Sequence, residues 1–163
     1  MPIDARTLCD IARATLRPMQ LGRHGEAGQV ACALEAKSGD VFTGICIDLP
    51  CGLGFCAERA AAAQMLKEGQ TAIRRIVAVD EDGRPIPPCG SCREFLVQLD
   101  DANVETLVVL PATAAPAAGS AGGDEVTEGD AGGDGSAHDG PSGPALREVR
   151  LAELLPERWD EEG

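Results

Sequence analysis

Apolar positions recur at helical spacing across residues 4–16, where Leu8, Ile11, Ala12 and Leu16 share a face. Asp4 is placed to cap that helix, and Arg17-Pro18 ends it. The pattern then changes to strands. Residues 30–34 and 41–49 are two apolar runs separated by Lys37-Ser38-Gly39-Asp40, whose turn chemistry predicts a hairpin. Pro50-Cys51-Gly52-Leu53-Gly54 reads as a loop whose glycines let backbone come close to a ligand. Residues 57–68 are strongly helical with an Ala-rich face for close packing, and Gly69 is a natural stop. Residues 73–79 are β-rich without clear alternation, which predicts a buried strand. Asp82-Gly83 is a turn. A helix is predicted at 90–99 with Phe95, Leu96 and Leu99 inward, and a second buried strand at 104–110. An edge strand at 147–150 and a short helical turn at 151–155 complete the chain.

This order predicts an α/β protein, a three-layer α/β/α sandwich around a mixed five-stranded sheet. Residues 111–145 interrupt it. They hold no Lys or Arg, six acidic residues, and mostly Ala, Gly, Pro and Ser. Such a segment buries too little apolar surface to offset its ordering entropy, so it is expected to be a disordered insertion in one domain spanning 1–163. Its His138 is not expected to be a ligand.

Composition narrows the partners. Apolar residues make up 44% of the 163, but aromatics are only three Phe and one Trp, so the core is expected to rest on Leu, Val, Ile and Ala. The formal net charge of −13 repels phosphate backbones and anionic membranes. A nucleic-acid polymer is therefore disfavoured as substrate, and a strand-editing enzyme would also need a basic groove and stacking aromatics that are scarce here. A small neutral or cationic ligand meets no such barrier. No membrane-spanning run and no secretory leader pattern are visible, which with seven cysteines suggests a cytoplasmic protein with reduced thiols.

The chemistry concentrates in two blocks, Cys56-Ala57-Glu58-Arg59 and Pro88-Cys89-Gly90-Ser91-Cys92-Arg93. Three thiols offer a metal such as Zn²⁺ three ligands and leave a fourth position open, while Glu58 supplies a carboxylate beside it. Both blocks fall at predicted helix N-termini, which favour anions and are expected to hold Cys56, Cys89 and Cys92 as thiolates. Blander readings exist. Cys89 and Cys92 alone would suit a redox pair or half of a structural zinc site. Glu58 could be an ordinary first-turn glutamate, and Arg59 a surface ion-pair partner. A third cysteine next to a glutamate weighs against the redox reading.

These motifs resemble the cytidine deaminase superfamily, whose pattern is [HC]-A-E followed by P-C-x-x-C. Further resemblance lies in Val30-Ala31-Cys32-Ala33-Leu34, Val41-Phe42-Thr43-Gly44 and Leu154-Leu155-Pro156. It implies hydrolytic deamination of a free aminopyrimidine nucleoside, with cytidine or deoxycytidine as leading substrate and Zn²⁺ as cofactor. Cys56, Cys89 and Cys92 would ligate the metal, Glu58 would shuttle protons, and Arg59 would hydrogen-bond a ligand sulfur and draw charge off the zinc. Ala57 would meet the ring through its backbone. The family's assembly implies a homotetramer or homodimer. Trp159 would be either a lid over a neighbouring subunit's site or a residue docked on apolar surface.

The chain also departs from the pattern. Where the family reads ribose with N-x-E, it has Cys46-Ile47-Asp48, and Gly28 stands where a phenylalanine is expected. The loop before Cys56 is one residue shorter. Cys46 and Asp48 remain candidate substrate contacts, although Cys46 and Cys51 also suit small hydrophobic positions. The altered motif makes a cytosine nucleoside antibiotic of the blasticidin S type, or another amino-substituted ring, the alternative substrate. A zinc-containing nucleoside-binding module without turnover is the non-enzymatic alternative.

Overall fold

The computed structural model describes residues 2–112 and 145–159. The expected insertion falls almost wholly outside the described residues.

The first helix, α1 (Ala5–Thr15), starts as its sequence predicts: the Asp4 carboxylate accepts the Thr7 N–H at 2.9 Å. Then come β1 (Met19–Leu21), β2 (Gly25–Ala36) and β3 (Val41–Asp48). β2 and β3 form the predicted hairpin, closed by the Ala36 N–H on the Asp40 carbonyl at 2.9 Å. β2 begins five residues before the predicted 30–34 run. Its extra length contains a bulge between Ala27 and Ala31 that sequence alternation hides.

The remaining elements are α2 (Ala57–Lys67), β4 (Ile73–Val79), β5 (Pro85–Ile86), α3 (Gly90–Val97), β6 (Leu107–Pro111) and β7 (Leu146–Arg150). The predicted strand at 104–110 is corrected. Residues Asp101–Glu105 form a 3₁₀ turn, capped by the Asp100 carboxylate on the Ala102 N–H, and the strand starts only at Leu107. The Val104 side chain packs on the core from that turn, so its apolar character is real but its geometry is not a strand's.

Five strands form the body of a mixed sheet in the order β3-β2-β4-β6-β7, with only β4 and β6 parallel. The two short strands, β1 beside β2 and β5 beside β4, raise the count from the expected five to seven. Residue alternation divides the sheet between two cores. Ala31, Ala33, Val77, Val79 and Val109 face Leu8, Cys9 and Ala12 of α1. Cys32, Leu34, Ile76, Val108 and Leu110 face α2 and α3 through Ala61, Met65 and Leu96. The sheet is therefore apolar on both sides, which is why β4 shows no alternation in sequence.

Two features place the helix that starts at Cys56. Gly44 of β3 leaves room for backbone contact, since a Cβ there would lie 2.4 Å from the Ala61 nitrogen and 2.6 Å from the Ala57 oxygen. The alanines of α2 supply the other half of this close approach. At the far edge, β6 and β7 pair from Leu107↔Arg150 to Pro111↔Leu146, and the Ala112 N–H meets the Ala145 carbonyl at 2.7 Å. Pro111, placed by composition in the insertion, thus belongs to the sheet.

Candidate metal centre and cleft

Both cysteine blocks stand at helix N-termini, as the sequence predicts. Cys56 is the N-cap of α2, Cys89 is the N-cap of α3, and Cys92 lies in the first turn of α3. The three sulfurs lie within 4.8 Å of one another, the one such cluster among the described residues. Cys56 and Cys89 approach to 3.7 Å, and all three thiols are free. That spacing is far too long for a disulfide, whose sulfurs lie about 2.0 Å apart. It matches the edge of a tetrahedron whose corners are about 2.3 Å from a central zinc, which comes to about 3.8 Å. The donor set therefore fits zinc.

Charge supports the same conclusion. Burial pushes the Cys56 thiol up. Burial, then the nearby Glu58 charge, pushes Cys92 up still further. Cys89 is lowered because its hydrogen bonds, chiefly from the Cys92 N–H and the neighbouring thiols, outweigh its own burial. Without a bound ion, Cys89 is the one of the three whose thiol is lowered, so the thiolate state expected of Cys56 and Cys92 falls to metal binding. Deprotonating all three this close together needs a countercharge, which a bound dication would supply.

Glu58 lies in the first turn of α2, 4% exposed, and burial raises its carboxyl above the usual range. Arg59 has no surface ion pair among the described residues. Its guanidinium donates to the Ser91 hydroxyl and lies 5.2 Å from the centre of the Phe95 ring. Its Nε is buried without a hydrogen-bond partner. The hydrogen bonds it makes reach Ser91, one of the two residues between Cys89 and Cys92.

A cleft of about 300 Å³ opens over this group, lined by Val30, Cys46, Asp48, Gly54, Phe55, Cys56, Ala57, Glu58, Ile86, Pro87 and Cys89. All three candidate substrate residues, Cys46, Asp48 and Ala57, are on its wall. The β2 bulge explains the state of Cys46. It frees the Val30 N–H from the strand ladder, and the Cys46 sulfur accepts it at 3.3 Å. Gly28, in the same bulge, has φ +80°, and a Cβ there would lie 2.0 Å from the Arg17 carbonyl oxygen. No phenylalanine could occupy that position in this backbone. Trp159 is 61% exposed.

Val30, Phe55, Ile86 and Pro87 are cleft residues that sequence reasoning missed. The Pro87-Pro88-Cys89 run marks a loop, but nothing in the linear pattern shows that Val30 and Phe55 face the same space.

Residues 6–108 match the family model described as the cytidine and deoxycytidylate deaminase zinc-binding region. The chain belongs to this zinc-binding deaminase family. A cytidine deaminase of Halalkalibacterium halodurans is 38% identical over 78 residues, which cover 47% of this chain and 59% of that protein. A probable cytidine deaminase of Dictyostelium discoideum is also 38% identical over 78 residues, covering 47% of this chain and 53% of that one. The aligned part thus spans little more than half the length of these curated relatives. In fold, the chain is similar to a single-residue variant of the cytidine deaminase from Mycobacterium tuberculosis, with TM-score 0.64 at 23% identity over 98% of both chains.

Proposed function

We propose that this protein is a zinc-dependent aminohydrolase that deaminates a free aminopyrimidine nucleoside, with cytidine or deoxycytidine as leading substrate, giving uridine or deoxyuridine and ammonia. The observation that carries this reading is the cluster of Cys56, Cys89 and Cys92, two of which line one small cleft together with a buried glutamate. Curated relatives named as cytidine deaminases support it.

In this reading Cys56, Cys89 and Cys92 hold the metal. Bound there, zinc would acidify a water at the position the three cysteines leave open. Glu58 takes one proton from the attacking water and delivers it to the ring nitrogen, then takes the proton of the added hydroxyl and delivers it to the departing amine. Water oxygen adds to the ring carbon bearing the amine, the carbon–nitrogen bond breaks, and ammonia leaves. A carboxyl whose pKa is raised by burial is suited to hold a proton between these transfers. The Ala57 backbone and Asp48 orient the nucleoside. Arg59 supports the first turn of α3, which carries Cys92, through Ser91.

A deaminase of a cytosine nucleoside antibiotic of the blasticidin S type is the second reading. It is favoured by Cys46, whose thiol is engaged by Val30 and offers no amide to a sugar. Past Asp48 and Gly54, the cleft also adjoins an open groove lined by His24, Glu26 and Leu49. That groove could take a substituent beyond the sugar.

No helix among the described residues is long and apolar enough to cross a membrane. A small-molecule substrate, no nucleic-acid polymer and no membrane partner, one domain, a cytoplasmic setting and assembly as a homotetramer or homodimer complete the proposal. The test is the ultraviolet change when zinc-loaded protein meets cytidine, deoxycytidine and blasticidin S in parallel. Glu58→Gln is expected to keep zinc and lose at least a thousandfold in turnover, within the range of a lost general acid–base and its oriented water. A variant with near-native turnover would remove Glu58 from the mechanism.

A further inference from the structure

Cys46 and Asp48 share one face of β3 and are the polar side chains of the cleft wall apart from Glu58 and the metal-binding cysteines. Asp48 also lines the adjoining open groove, which reaches neither Glu58 nor the cysteine cluster, so it marks the end of the cleft away from the metal donors. Cys46 is 6% exposed, and its hydrogen bonds are spent within the protein. Its sulfur accepts the Val30 N–H at 3.3 Å, and its S–H donates to the Gln29 Oε1 at 3.8 Å. The Gln29 amide is itself held, because its Nε2 donates to Glu26 at 2.9 Å. Burial, chiefly, pushes the Cys46 thiol up, so it keeps its proton. A thiol has one S–H, and this one is given to the β2 bulge. On the same wall, the Phe55 N–H and carbonyl are taken up by Ile47, at 2.9 and 3.0 Å.

A nucleoside whose amino-bearing ring lies against Glu58 extends its sugar toward this end. A sugar hydroxyl arriving there finds one side-chain acceptor, the Asp48 carboxylate, and that group is exposed to water. A buried site that hydrogen-bonds a substrate hydroxyl rejects analogues lacking it by about ten-thousandfold or more, because its own polar groups are left unpaired. Neither residue here imposes that penalty. Cys46 is buried but keeps its partners when the hydroxyl is missing, and Asp48 keeps its water. We propose that the enzyme selects the amino-bearing ring and tolerates the sugar, accepting cytosine nucleosides that lack the 2′- and 3′-hydroxyls. This rests on the aminopyrimidine reading above and adds to it the substrate class: cytosine nucleosides of varied hydroxyl pattern.

The test uses the zinc-loaded full chain and its Cys46→Ala and Asp48→Ala variants, with melting curves to confirm folding. The readout is the ratio of kcat/KM for cytidine to that for 2′,3′-dideoxycytidine, with 2′-deoxycytidine measured between them. In the wild type this ratio is expected to stay within about tenfold, the worth of hydrogen bonding to one solvated charge. Asp48→Ala should bring the ratio to within about twofold of unity, since the acceptor is gone. Cys46→Ala should leave the ratio within about twofold of the wild-type value, because its thiol serves the bulge and not the sugar. A larger wild-type ratio, a ratio that Asp48→Ala fails to lower to that range, or one that shifts further in Cys46→Ala would overturn this inference, while turnover of cytidine would leave the aminopyrimidine reading standing. A wild-type protein that converts none of the three would overturn that reading, and this inference with it.

Discussion

Arg59 lies beside the cysteine cluster without lining its cleft. The guanidinium bonds Ser91 and lies near the Phe95 ring, so it ties the start of α2 to the first turn of α3. Groups that orient metal ligands change affinity by tenfold or more when removed. Ser91→Ala is therefore expected to weaken zinc retention about tenfold in a chelator competition, while the melting temperature of the metal-free protein stays unchanged. Equal zinc affinity in the variant would show that the Arg59 clamp does not serve the metal. Glu58 and the three cysteines were legible as residues because their spacing is short and chemically unusual. Ser91 was not, because its contact is with Arg59, 32 residues away.

The elements hold the site by close backbone packing. Gly44 of β3 lets α2 approach until the Ala57 oxygen and Ala61 nitrogen sit where a side chain would be. Filling that space must either push α2 away or compress the core, at a cost of about 1–3 kcal/mol for overpacking. Because Cys56 and Glu58 lie at the start of the same helix, a displaced α2 also separates Cys56 from Cys89 and Cys92. Gly44→Val is expected to lower the melting temperature and the zinc content together, measured by calorimetry and metal analysis. Native zinc content in a destabilised variant would show that the site and the packing are independent. The helix start at Asp4 and the turn around Gly39 followed from local sequence. The strand start at Leu107 did not, because Val104 reaches the core from a 3₁₀ turn and apolar pattern alone does not distinguish the two.

At the scale of the molecule, the sheet ends at the β6–β7 pair. β6 and β7 are neighbours up to Pro111↔Leu146, and the chain leaves and returns at the Ala112–Ala145 hydrogen bond. Loop-closure entropy changes slowly with length, so the connection there tolerates wide variation. Replacing residues 113–144 with a short turn is expected to leave zinc content unchanged and kcat/KM for cytidine within about twofold, because no described cleft residue comes from this part of the chain. Loss of activity in a folded, zinc-loaded deletion variant would assign the segment a functional part.

The sequence by itself determined the metal donors, the carboxylate beside them and their places at two helix starts. Those features are local, set by spacings of two or three residues and by helix-start chemistry. It also determined the layered α/β plan, through the period of its apolar residues. Only the tertiary structure decided what surrounds the donors. The bulge at Gly28 turns the Val30 N–H onto Cys46, Gly44 sets the depth of α2, and Gly54 bridges Phe55 to Ile47. These are contacts between distant segments, fixed by packing geometry, and no linear pattern encodes which backbone will come that close.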